Sequence, residues 1–166
     1  MDEIGHKVSP PLYLVGKKID CWKCGARMPA VALVAPNVEG VVALSFEDAH
    51  DGEVEIEGEK VYTLSYITSL PQEVLQYLQK RVPTFKLKYS KMADYKYYVN
   101  TCPSCDILSG DCHLHSESGA FFFPPDENEA ATLYLNEIPI KFPVYIEAMF
   151  CVGAGDLIVR YAQRIE

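Results

Sequence analysis

Apolar and polar residues along this chain fall into short blocks separated by prolines, glycines and charges. Leu12 to Val15 is a brief apolar run after Pro10-Pro11, and Ala30 to Ala35 is a stronger one bounded by Pro29 and Pro36; both predict strands. From Glu53 to Tyr62 the pattern alternates, with Val54 and Ile56 on one face and Glu53, Glu55 and Glu57 on the other, as a half-buried strand requires. Ser69, Pro71 and Gln72 form a helix start, with Ser69 as the capping hydroxyl. Val74, Leu75, Leu78 and Val82 then recur at helical spacing until Pro83 stops the helix.

Further on, Phe85, Leu87 and Tyr89 alternate with Lys86, Lys88 and Ser90, which predicts a strand, and Tyr97 to Val99 predicts another. Phe121 to Phe123 ends against Pro124-Pro125, and a helix is expected over about 127–135. Val144 to Phe150 reads as a strand, and Asp156 is expected to cap a last helix running through Tyr161 to Ile165. The sum is an α+β protein, mainly antiparallel strands with short helices. No repeat, low-complexity tract or linker divides residues 1–166, so a single domain is expected.

Of 166 residues, 49% are apolar, enough for a core that does not depend on crosslinks. Six cysteines, unevenly placed, do not suggest a disulfide scaffold, and the reducing cytoplasm is the expected compartment. The stretch Met1 to Lys7 is acidic and polar and is not expected to act as a signal peptide; charges, glycines or prolines interrupt every apolar run before a membrane span is reached. The net charge of −8 weighs against a protein devoted to phosphate backbones.

The strongest chemical signal is a pair of C-x-x-C knuckles, Cys21-Trp22-Lys23-Cys24-Gly25 and Cys102-Pro103-Ser104-Cys105-Asp106. Such a loop can turn two thiolates toward one point, and two loops complete a tetrahedral shell, so Cys21, Cys24, Cys102 and Cys105 are the expected ligands of a structural zinc ion. Iron suits four thiolates as well, but no further cysteine-rich run accompanies the pairs. The residue after each second cysteine is expected to be left-handed, which Gly25 adopts freely and Asp106 tolerates. Lys23 places a positive charge near the thiolates. Usual doubled knuckles stand about 15 to 20 residues apart; here 77 residues lie between Cys24 and Cys102, so most of the fold must come between the two halves of the site.

These segments resemble zinc-ribbon and rubredoxin-like knuckle proteins, whose pieces are C-x-x-C-G and C-P-x-C. Together with Val99 to Thr101 and Gly110-Asp111, they also resemble a group of uncharacterised bacterial and phage proteins. The resemblance covers the cysteine segments only, and Asp106 departs from the second knuckle's glycine. It implies zinc binding and no particular activity.

Other residues are open to two readings. Asp111, Cys112, His113 and His115 could form a nucleophile with a base, or a second metal site, but neighbours on a strand would face opposite ways. Cys151 lies in an apolar context and is expected in the core. Trp22 is expected to shield the zinc sulfurs rather than anchor a partner. Lys86, Lys88, Tyr89, Lys91, Tyr95, Lys96, Tyr97 and Tyr98 have the composition of a single-strand nucleic-acid platform, though Asp94 interrupts it and an amphipathic strand with a solvated lysine face is the simpler expectation. Seven carboxylates between Glu47 and Glu59 form either a solvated edge or a docking surface for a basic partner, and their strand is expected beside Lys86 and Lys88. The leading functional expectation is a zinc-stabilised protein-binding module, such as an acidic inhibitor or immunity-type partner of another protein. Alternatives are a nucleic-acid-binding zinc ribbon, and a small hydrolase or redox enzyme using Cys112.

Overall fold

The structure is a computed structural model that describes residues 5–39, 61–115, 120–152 and 154–165. The acidic run and its alternating strand therefore lie outside the described residues, except at Val61 and Tyr62. The chain forms β1 (His6–Ser9), β2 (Leu12–Asp20), β3 (Arg27–Ala35), β4 (Asn37–Glu39), β5 (Tyr62–Ser69), α1 (Gln72–Arg81), β6 (Phe85–Ser90) and β7 (Tyr95–Thr101). It continues with β8 (Leu108–Ser109), α2 (Asp111–His115), α3 (Glu127–Ala130), β9 (Tyr134–Ile138), β10 (Val144–Val152), α4 (Gly155–Tyr161) and β11 (Gln163–Arg164). This is the expected α+β arrangement. Among the described residues no helix is long and apolar enough to cross a membrane.

The strands run in the order β11-β9-β2-β3-β5-β10-β1-β4, and a second leaf of β6, β7 and β8 joins at β5. Pairing is antiparallel apart from β11 against β9. At the centre, β2 and β3 form a long hairpin from Tyr13 opposite Val34 to Asp20 opposite Arg27. Both of its faces are buried: Leu12, Leu14, Val31 and Leu33 enter one core, and Tyr13, Val15, Ala30, Ala32 and Val34 the other. A strand covered on both sides has no solvent face, which is why 30–35 reads as unbroken apolar sequence. Val74, Leu78 and Val82 of the α1 segment join the first core; Leu114, Phe122 and Ile158 close the second, together with Cys21 and Cys102.

β5 is where the two leaves diverge. Leu64 pairs with Leu33 of β3, Ser65 with Met149 and Ser69 with Glu147 of β10, while Ile67 already pairs with Tyr98 of β7. Three residues of β5 thus stand against one of β10, a bulge that bends the strand. Tyr66 sits within it at φ 50, in the left-handed region. By turning away, β5 abandons the edge of β3 at Val31. The Asn100 side chain takes its place, accepting from the Val31 N–H at 2.8 Å and donating to the Val31 carbonyl at 3.0 Å. A buried amide thus substitutes for a strand and fastens β7 to β3.

Several local expectations need correction. Ser69 belongs to β5, and α1 starts after Pro71 with no side-chain cap. The helix expected over 127–135 ends at Ala130 after one turn capped by Asp126; Leu133 and Leu135 are buried and Tyr134 between them is exposed, so a two-residue period takes over and β9 begins. Asp156 lies inside the first turn of α4, pairing with Arg160 at 3.2 Å, and the chain leaves that helix as β11 rather than continuing helical to Ile165. Cys151 is exposed rather than part of the core.

Candidate metal centre

The first knuckle is the turn of the β2–β3 hairpin. The second lies between β7 and β8. Each closes by the same two backbone bonds: the Cys21 N–H donates to the Ala26 carbonyl at 2.8 Å and the Gly25 N–H to the Cys21 carbonyl at 2.9 Å, and the Cys102 N–H donates to Ile107 at 2.9 Å and the Asp106 N–H to Cys102 at 2.9 Å. In each, the N–H two residues on, of Lys23 or Ser104, points to the first sulfur at 3.4 Å. Gly25 stands at φ 76 and Asp106 at φ 61, the left-handed geometry expected of both.

The structure brings the four sulfurs together. Cys21 Sγ lies 3.7 Å from Cys105 Sγ and Cys24 Sγ 3.6 Å from Cys102 Sγ, and all four lie within 4.8 Å of one another. A disulfide needs about 2.05 Å. A tetrahedron of thiolates about 2.3 Å from one ion has edges of about 3.8 Å, which the observed separations approach. The four cysteines could therefore hold a metal ion.

Backbone dipoles prepare part of the set for ionisation. The Cys24 N–H, aided by that of Lys23 and opposed by burial, lowers Cys21 to about 6. Cys102 is lowered by the N–H groups of Cys105 and Ser104 against burial. The Ala26 N–H pulls Cys24 down, but burial and the neighbouring Cys102, Cys105 and Cys21 sulfurs outweigh it and raise the thiol to about 11. Four sulfurs this close cannot all carry charge without a cation among them.

Lys86 and Lys88 reach Asp106 at 2.9 and 2.8 Å, Lys88 also donating to its carbonyl at 3.0 Å. Lys88 and then Lys86 pull this carboxyl down to about 2. Their face of β6 is thus turned to the second knuckle instead of being simply solvated, while Leu87 and Tyr89 on the other face are exposed.

Trp22 does not shield the sulfurs. It is 61% exposed, with its Nε1 donating to the Leu108 carbonyl at 3.0 Å. The segment 111–115 is a helix, so its side chains fan around an axis rather than alternating across a strand. Asp111 is buried, with Oδ2 accepting from the Tyr66 N–H at 2.7 Å; burial raises its carboxyl to about 7 against that bond. Cys112 is exposed. His115 packs on Phe122, with ring centroids 5.3 Å apart, and burial lowers it to about 4. Asp111 and Cys112 both lie against Tyr66, Asp111 through its carboxyl on the β5 backbone, whereas His115 packs apart from them on Phe122. Sequence reasoning passed over Tyr66, read Tyr97 only as strand and as part of the lysine and tyrosine segment, and gave Asn100 no role beyond its place before the second knuckle; the bonds of Asn100 to Val31 and of Tyr97 to Asp111 carry no local signal. The chain matches no protein-family model, no curated protein and no solved structure, so the likeness to zinc-ribbon knuckles rests on the cysteine segments alone.

Proposed function

We propose that the chain is a zinc-stabilised binding module for another protein. The observation that carries this reading is the closed tetrathiolate geometry, in which the protein offers all four positions of a tetrahedron and leaves none for a substrate. Zinc, when bound, supplies the charge that lets the four thiolates coexist and joins the β2–β3 hairpin to the β6–β7 leaf. On the element so stiffened, Leu87 and Tyr89 are exposed side by side on one strand face, and large apolar residues held rigidly in solvent favour macromolecular contact. The net charge of −8 favours a basic partner. The nucleic-acid reading loses support because Lys86 and Lys88 are engaged by Asp106. The docking role of the acidic run 47–59 rests on sequence alone.

Elemental analysis and partner capture test the proposal together. One zinc per chain is expected, along with a protein retained by the native chain and lost by a Leu87→Glu, Tyr89→Glu variant of unchanged zinc content and melting temperature. Absence of zinc overturns the metal reading. Capture of single-stranded nucleic acid, falling steeply with salt, overturns the protein-binding one.

A further inference from the structure

Beside the metal centre lies a cavity of about 400 Å³, within the range of small-molecule sites. Trp22 of the first knuckle, Tyr66 of the β5 bulge, Met92 of the β6–β7 turn, Tyr97 of β7 and Cys112 of α2 all line it. We propose that this cavity binds an uncharged, planar aromatic small molecule, seated among these rings with the Cys112 thiol in its wall.

The lining is apolar by construction. Each of its three aromatic residues has a polar tip, and each tip is matched to a backbone group: Trp22 Nε1 donates to the Leu108 carbonyl at 3.0 Å, the Tyr97 hydroxyl accepts from the Asp111 N–H at 3.1 Å, and the Cys112 N–H is directed to the Tyr66 hydroxyl. With the indole N–H and the two hydroxyl oxygens engaged, what remains for a guest is ring surface and the two phenolic O–H donors. Among the described residues no charged side chain lines the cavity. A charged ligand would lose its hydration here without an opposite charge to replace it, so complementarity selects a neutral one. Ring surfaces and a thioether favour a flat aromatic partner, since sulfur and aromatic edges attract.

The rings are also held in place. Tyr66 occupies a left-handed conformation that a bulky residue seldom adopts, and its N–H is fixed by the buried Asp111 carboxyl at 2.7 Å. Trp22 is tied to the strand after the second knuckle, so its ring stays 61% exposed instead of folding onto the core. Met92, 83% exposed on a turn, has the freedom to close over a guest.

The two exposed cysteines outside the metal centre give an internal control, since Cys112 lies in the cavity wall and Cys151 on β10 does not. The chain as purified, its zinc content measured in parallel, is treated with N-phenylmaleimide or N-ethylmaleimide, and each cysteine is quantified by peptide mass spectrometry. The Cys112-to-Cys151 labelling ratio is expected to be about tenfold higher with the phenyl reagent, the factor that about 1.4 kcal/mol of ring binding confers. Added 2-naphthol should slow Cys112 and spare Cys151. Met92→Glu, a change at a wall residue that is 83% exposed, should remove the preference while the melting temperature holds. Equal ratios for the two reagents overturn the proposal, and so does protection of Cys112 by tetramethylammonium but not by 2-naphthol, which would make the site cationic. The readout does not depend on which ion the sulfurs hold, so failure here and failure of the zinc reading are separable.

Discussion

The two knuckles share their backbone hydrogen bonds and left-handed fifth residue, yet they are secured differently. A Cβ placed on Gly25 would meet nothing within 4 Å, so the first knuckle ends in open space and reaches the second leaf through Trp22 and the sulfurs. At the equivalent place the second knuckle has Asp106, gripped by two lysines of β6. Glycine adopts the turn without strain and holds nothing; aspartate accepts some strain and gains an anchor. One loop is free to present a side chain, and the other is bolted to its sheet.

The largest effect should erase this difference. Because the short sulfur separations run between knuckles, Cys21 to Cys105 and Cys24 to Cys102, either loop alone offers half a site. Cys21→Ser and Cys102→Ser are therefore expected to fail alike, losing the bound metal, which we propose is zinc, and the cooperative thermal transition, and chelation should do the same to the native chain. Cys151→Ala should retain both. Zinc retained by either serine variant would show that the four sulfurs are not one site.

Next in size is an asymmetry between the segments that leave the two knuckles. After the first, the chain re-enters the sheet as β3; after the second it buries Asp111, whose carboxyl is raised from 3.8 to about 7. A carboxyl raised in the folded state contributes stability that is complete below about pH 4 and is lost as pH climbs to about 7, at up to about 1.4 kcal/mol per pH unit. Asp111→Asn keeps an oxygen for the Tyr66 N–H and should flatten that slope. Denaturant midpoints between pH 4 and 8 measure it, and an unchanged slope would place the titration elsewhere.

Between the knuckles stands Asn100, one residue from the end of β7 and bound to β3. Asn100→Ala leaves the Val31 N–H and carbonyl unpaired in the core, at a cost of about 1–3 kcal/mol for each group left unsatisfied. Urea unfolding should show this loss with zinc content preserved. Asn100→Leu, similar in volume, should fare no better, because packing is not what the residue provides.

How far the sequence disclosed these features depends on the range of the forces involved. The knuckle turns were legible because C-x-x-C with Gly or Asp next in line is local chemistry, and α1 because its buried Val74 and Leu78 repeat at helical spacing. The β3 run was legible as a strand, but not its burial on two sides. Tyr66 and Asn100 were hidden because their roles arise when β5 leaves β3, an event of the assembled sheet. Trp22 was misjudged for a related reason: the Leu108 carbonyl that holds it outward is 86 residues away. The helix 111–115 gave no periodic signal in five residues, and β9 was masked by helix-favouring residues before it.

The smallest expected effect separates the two fifth residues themselves. Asp106 bears an opposing pair of contributions, the strain of φ 61 and the attraction of Lys86 and Lys88. Its carboxyl is lowered to about 2, so its contribution is present above about pH 4 and is lost as pH falls through about 2. Asp106→Asn keeps a side chain that tolerates the turn and removes the charge; Asp106→Gly removes the charge and the strain together. At low salt and neutral pH the native chain should melt highest, glycine next and asparagine lowest. In about 1 M salt, where the screening length falls to about 3 Å, the ion pairs fade and the strain does not, so the glycine variant should rise to or above the native chain. The reciprocal Gly25→Asp, whose Cβ would stand in open space at φ 76, should melt below the native chain at both salt concentrations. If Gly25→Asp were as stable as glycine at low salt, left-handed strain would not be what distinguishes the knuckles, and the lysines on β6 would be incidental to the choice of aspartate.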